Sequence, residues 1–212
     1  SAVLLIFFRK NLIPGLIKFD LNLLVLGLPF LAIGFSGMLQ SKTDLYLVAA
    51  LLGDEELAVY QVTINFFIYL QALSALVLLP FVKNVYRLPE NTIWKISVRF
   101  TLLGLVILAA SLPAIYWATN YLYNFGLDIR VFLIGGLFVI PSFMYLPMVY
   151  KLIGIKKEKS VLATNIFGVL ANLIVSYLLI QSMGLIGGFI GSMISQWAML
   201  VGYYYRLNKS TK

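Results

Sequence analysis

Long apolar stretches alternate with short polar or basic connections along the chain, and six of them are long enough to cross a bilayer. They fall at about 21–52, 57–80, 100–119, 131–150, 161–180 and 185–205. A hydrocarbon core of about 30 Å takes roughly twenty helical residues to cross. The spacing therefore predicts an all-α integral membrane protein, a six-helix transmembrane bundle. The first stretch is the longest, and its apolar run is broken by one polar knot, Gln40-Ser41-Lys42-Thr43-Asp44. As a single helix it would overrun the bilayer, so it must tilt, bend or project. Gly27, Pro29, Gly34 and Gly37 supply places to bend. Between the second and third spans, 81–99 carries Lys83, Arg87, Lys95 and Arg99 around Pro89. Trp94, Ile96 and Val98 predict that part of it lies along the headgroups as an interfacial helix. Pro113 marks a kink in the third span, and Gly135, Gly136, Pro141 and Pro147 predict interruptions in the fourth. Tyr116, Trp117, Tyr121, Tyr123 and Phe125 form the kind of aromatic cluster that marks a membrane–water boundary.

Composition agrees with the pattern. Of 212 residues, 61% are hydrophobic and 11% charged, with mean hydropathy +0.95, against about 25% charged in a soluble domain. There is no cysteine, hence no disulfide framework, and no histidine, which removes the commonest metal ligand and the commonest general base. The net charge of +8 would fit a nucleic-acid binder, but its placement does not. Fourteen of the sixteen Lys and Arg fall on one side of the alternating connections, Arg130 alone falls on the other, and Lys42 lies within a span. By the positive-inside rule both ends of the segment are cytoplasmic, and no nucleic-acid partner is expected. Ser1 to Phe8 is a short apolar run followed by Arg9-Lys10, the order of a helix end. Residues 1–20 accordingly read as the end of a preceding span and a cytoplasmic basic linker, and 21–212 as a six-helix lobe of something larger.

An ionisable residue inside a membrane span is costly, and by default it marks a functional site. Lys42 and Asp44 are two apart, about 200° around a helix, so they cannot face each other. Asp44 shares a face with Gln40, Ser41 and Gly37, whereas Lys42 shares one with Met38 and Tyr46. One reading places Lys42, Asp44 or both on the wall of a polar cavity, with Lys42 attracting an anionic headgroup and Asp44 binding a coupling Na+ or H+. The other has Lys42 snorkelling to the outer interface and Asp44 bonded to a neighbouring helix. On the second span, Gln61, Asn65 and Gln71 either line a cavity and contact sugar hydroxyls or serve as interhelical glue. On the fifth, Asn165, Gly168, Asn172 and Ser176 form a narrow polar and small stripe. On the sixth, Gly184, Gly187, Gly188, Gly191, Ser192 and Ser195 form two overlapping small-residue patterns. Close helix packing is the favoured use of both stripes, and Asn165 and Asn172 are also candidates for the cavity wall. No phosphate-binding loop, HExxH, GxSxG or metal-ligand cluster is present. Asp54-Glu55-Glu56 reads as a solvated turn capping the next helix.

Three stretches carry a resemblance. They are LGLPFLAIGFSGMLQSKTDLYLVAALLGDEELAVYQVTINF at 26–66, LLPFVKNVYR at 78–87, and TNIFGVLANLIVSYLLIQSMGLIGGFIGSMISQ at 164–196. In this order they resemble the C-terminal half of the oligosaccharide flippases of the multidrug/oligosaccharidyl-lipid/polysaccharide exporter superfamily. The resembling features are a Pro-bearing helix with an acidic residue near its outer end, the helix start at Val59-Tyr60, and a helix ending in Pro then basic residues. Another is the N-x-x-G-x-x-x-N helix followed by Gly184-Leu185-Ile186-Gly187.

The resemblance implies one lobe of a twelve- to fourteen-helix carrier in a bacterial or archaeal plasma (inner) membrane. The partners would be an N-terminal six-helix lobe of the same protein, membrane lipids and the substrate, a polyprenyl-diphosphate-linked oligosaccharide such as an O-antigen, capsule or exopolysaccharide unit. That substrate would be flipped to the outer leaflet by alternating access, without a cofactor beyond a coupling Na+ or H+. Lys42 is the one position here that matches the family's diphosphate-holding cations. Two alternatives compete. A cation-coupled multidrug exporter of the same superfamily would carry more cavity-facing acids. A membrane-embedded polysaccharide polymerase or acyltransferase would need catalytic His, Asp or Arg in large outer loops. Histidine is absent and the longest outer loop is roughly 120–130, so the chain reads as a carrier and not an enzyme.

Overall fold

The computed structural model describes residues 21–210. The expectations for residues 1–20, and for Lys212 at the other end, fall outside the described residues. The described chain is helical throughout. Its elements are α1 (Leu21–Gln40), α2 (Thr43–Leu51), α3 (Asp54–Leu78), a 3-10 turn (Leu79–Phe81) and α4 (Val82–Arg87). They continue with α5 (Glu90–Trp117), a π turn (Ala118–Leu122), α6 (Ile129–Gly154), α7 (Glu158–Met183) and α8 (Leu185–Ser210). Among the described residues, five stretches are long and apolar enough to cross a membrane: Asp54–Arg87, Glu90–Leu122, Ile129–Gly154, Glu158–Met183 and Leu185–Lys209. The protein is thus an all-helical, multi-pass membrane bundle.

The expected first span, 21–52, is not one helix. It breaks at Ser41-Lys42, within the polar knot and not at its glycines or at Pro29, which sits inside α1. The knot carries its own means of breaking. Ser41 Oγ donates to Met38 O at 2.9 Å, Thr43 Oγ1 donates to Leu39 O at 2.7 Å, and Lys42 N turns back to Leu39 O at 3.1 Å. Short hydroxyl side chains compete with the helix ladder in this way. Lys42 then leaves the helical region, at φ −127° and ψ −11°.

Two further expectations are corrected. Residues 94–98 form no separate interfacial helix, because α5 runs unbroken from Glu90 through them to Trp117. Nor is the fourth span interrupted, since Pro141 and Pro147 both lie inside α6. Pro141 has no N–H to give the carbonyl of Leu137 one turn earlier. That carbonyl instead accepts from Trp197 Nε1 at 3.0 Å, and Gln71 Nε2 donates to its neighbour, Phe138 O, at 3.1 Å. Membrane helices keep proline where neighbours take up the freed carbonyls.

α6 and α8 form the centre of the bundle. α7 packs along α8, α5 and α3 pack on α6, α2 crosses α7, α8 and the start of α3, and α1 leans chiefly on α7. The small-residue stripes set the α7–α8 distance. A Cβ on Gly191 would fall 2.1 Å from Ser176 Oγ, and one on Gly187 would fall 2.2 Å from the carbonyl oxygen of Leu179. No side chain larger than hydrogen fits without separating the helices. Gly53, at φ +106°, makes the turn into α3, whose first turn holds exposed Asp54, Glu55 and Glu56 against the helix dipole.

Candidate functional site: a cavity beside a buried carboxylate

Because α1 leans on α7 while α3 packs on α6, a cleft is left between α1 and α3, floored by α6, α7 and α8. It forms a cavity of about 290 Å³. Gln40, Asp44, Gln71, Tyr145, Gln196 and Tyr203 are among the side chains that line it, together with Asn165, Asn172 and Ser192. No Lys or Arg lines it.

Asp44 sits in the first turn of α2 and is only 3% exposed. Its Oδ2 accepts from Ser192 Oγ at 2.7 Å and from the hydroxyl of Tyr60. Tyr60 is aimed by packing. Its ring lies against Gly188 and 4.6 Å from Phe189, which also meets Phe67 edge-on. A carboxylate buried without a counter-charge is costly. Two hydroxyl donors offset part of that cost.

The break in the first helix and the polar wall belong together. Ending α1 at Gln40 leaves its carbonyl without an intrahelical donor, and Asn172 Nδ2 supplies one at 3.2 Å. The Oδ1 of Asn172 accepts from Ser176 Oγ at 2.7 Å. Gln40 Nε2 donates to Ser195 Oγ at 2.8 Å, and that hydroxyl donates to Gly168 O at 2.7 Å. One turn further along, Asn165 Nδ2 donates to Ser36 Oγ at 3.0 Å, and its Oδ1 accepts from the hydroxyl of Tyr203. Tyr145 donates to Gln196 Oε1 at 3.0 Å. Gln40 Oε1 is buried with no hydrogen-bond partner among the described residues. It lies against Gly168, where a Cβ would fall 2.6 Å from it.

The structure divides the sequence-derived candidates. Asp44, Gln40, Gln71, Asn165 and Asn172 come together at the cavity, with Gln71 also spent on the backbone of α6. Lys42 is half-buried and is not among the lining residues; Met38 and Tyr46, expected on its face, are both exposed. Gln61 is exposed and Asn65 half-buried, and neither lines the cavity. Tyr60, Tyr145, Ser192, Gln196 and Tyr203 were not among the candidates. A signal for most of them was present, since Ser192, Gln196, Met199 and Tyr203 follow one another at helical spacing on α8 and all line the cavity.

Among the described residues no three His, Cys, Asp or Glu side chains come close enough to hold a metal ion together. Fold and site thus define a polytopic helical bundle around a largely apolar cavity that carries amides, hydroxyls and one carboxylate on its wall. No protein-family model, curated protein or solved structure matches the chain.

Proposed function

We propose that this bundle is one lobe of an ion-coupled carrier that flips a polyprenyl-diphosphate-linked oligosaccharide from the cytoplasmic to the outer leaflet by alternating access. The observation that carries the reading is Asp44, a buried carboxylate that has no ion-pair partner among the described residues and lies on the wall of a cavity inside a membrane bundle. Intramembrane acids of this kind serve ion and proton coupling. Amides and hydroxyls make up most of the polar part of the lining, a surface suited to sugar hydroxyls. The cavity lies at the small end of ligand pockets, so the bulk of a lipid-linked glycan would rest against a second lobe. That lobe would meet the exposed face of α1, where Leu31, Phe35 and Met38 lie open. Rocking of the two lobes about the site would give alternating access.

One observation favours the second reading, a cation-coupled multidrug exporter. The cavity holds a carboxylate and no cation to grip a diphosphate. In the flippase reading that grip falls to the second lobe and to Lys42, acting across the interface between lobes. Export of the glycan in a strain lacking the native gene separates the two. Lys42→Ala is expected to lower export at least about fivefold, the smaller end of site coupling, while Lys209→Ala leaves it unchanged. Equal export by both variants, together with efflux of lipophilic cations, would assign the chain to drug export.

A further inference from the structure

A second cavity lies on the basic edge of the bundle, away from the polar cleft. After Leu78 the chain tightens into the 3-10 turn around Pro80 and restarts as α4. α4 is held against α6. Lys151, buried near the end of α6, donates through Nζ to Tyr86 O at 3.1 Å and to Leu88 O at 2.6 Å. The ring of Tyr86 lies over Gly154, where a Cβ would fall 2.7 Å from it. Drawn toward α6, α4 leaves a groove of about 420 Å³ between itself and α5. Leu78, Val85 and Phe100 are its buried walls, and Phe81 and Leu103 are its exposed rim.

Among the described residues, Asn84 and Arg99 are the polar side chains lining this groove, and both are exposed. Arg99 is the last charge before the apolar run 100–117, at the level where hydrocarbon gives way to headgroups. Lys83 and Arg87 flank Asn84 on α4, and Lys95 stands one turn before Arg99 on α5; all three are exposed. Against these four cations, 81–99 contains a single acid, Glu90. An apolar slot at membrane depth with a cationic mouth matches the two halves of one class of molecule. We propose that the groove between α4 and α5 is a binding site for an anionic phospholipid of the cytoplasmic leaflet, its acyl chain in the slot and its phosphate on Arg99. Basic pockets between membrane helices on the cytoplasmic side recognise such headgroups, and an acyl chain is the apolar material at hand at that depth. The site goes beyond the transport reading and stands whatever the central cavity carries.

The test is native mass spectrometry of the full chain in detergent, with phosphatidylglycerol or phosphatidylcholine of identical acyl chains added. The native protein is expected to retain phosphatidylglycerol preferentially. Lys83→Gln and Arg99→Gln should each lower that retention about fivefold, bringing the double variant to the phosphatidylcholine level. Val77→Trp, which grows an exposed rim residue into the groove, should lower retention of both lipids. Lys159→Gln and Lys209→Gln, exposed cations away from the groove, should change nothing. Equal retention of the two lipids by the native chain would overturn the proposal. So would losses from Lys159→Gln or Lys209→Gln matching those from Arg99→Gln, and so would displacement of phosphatidylglycerol by an equal concentration of polyprenyl phosphate, which would give the slot to the isoprenoid carrier.

Discussion

Asp44→Asn is expected to leave the bundle folded and to remove the dependence of transport on an ion or proton gradient. Asparagine keeps the shape of the side chain and an acceptor for Tyr60 or Ser192, but it can neither be protonated nor carry a charge. With the gradient imposed, the rate should fall to the rate without it, about tenfold or more, the scale on which one site couples to another. Asp44→Leu should behave differently. It strands the buried hydroxyl of Tyr60 and removes a partner of Ser192, each costing about 1–3 kcal/mol, so this variant should lose stability as well as transport. Transport by reconstituted protein, with and without a sodium or proton gradient, reads the first effect, and denaturant unfolding in detergent reads the second. Undiminished gradient dependence in Asp44→Asn would remove Asp44 from the coupling step.

Gly191→Leu is expected to be the most destabilising single change in the α7–α8 pair. Helices in a bilayer associate through van der Waals fit and not through exclusion of water. Here the fit is backbone on backbone, because a Cβ on Gly191 would also lie 2.7 Å from the Cα of Ser176 and 2.8 Å from its amide nitrogen. Relief requires the two helices to part, and parting them moves Ser195 from Gly168. A loss of at least about 3 kcal/mol is expected, the upper range for overpacking. Gly27→Leu, with no described atom within 4 Å of its Cβ position, should cost nothing and by helix propensity gain up to about 1 kcal/mol. Equal unfolding midpoints for the two variants would mean that the stripe on α8 does not set the packing.

What was legible in the sequence followed from periodicity and length. The apolar runs at 57–80, 100–119, 131–150, 161–180 and 185–205 each fall within a stretch able to span a membrane, because burying backbone in lipid leaves a helix as the only solution for a lone segment. The glycines of α7 and α8 were legible as packing surfaces for a related reason. The break at Ser41-Lys42 was misplaced, since weight was given to Gly and Pro while the hydroxyls of Ser41 and Thr43 decided it. Unbroken helix through Pro141 was not legible either, because it depends on Trp197, distant in sequence, reaching the freed carbonyl of Leu137. The polar positions of the second span illustrate the same limit. Gln61, Asn65 and Gln71 look alike in sequence, yet Gln71 alone lines the cavity, a choice made by how α3 lies on α6.

The account rests on water reaching the cavity beside Asp44. The chain contains no cysteine, so single cysteines can be placed in the natural background and exposed to a charged, membrane-impermeant thiol reagent in inside-out vesicles. Gln71→Cys and Gln196→Cys, both on the cavity wall, are expected to react at rates well above Leu170→Cys, which faces outward from α7. Reaction of all three at the same slow rate would mean that no aqueous path reaches the carboxylate, and it would contradict the carrier.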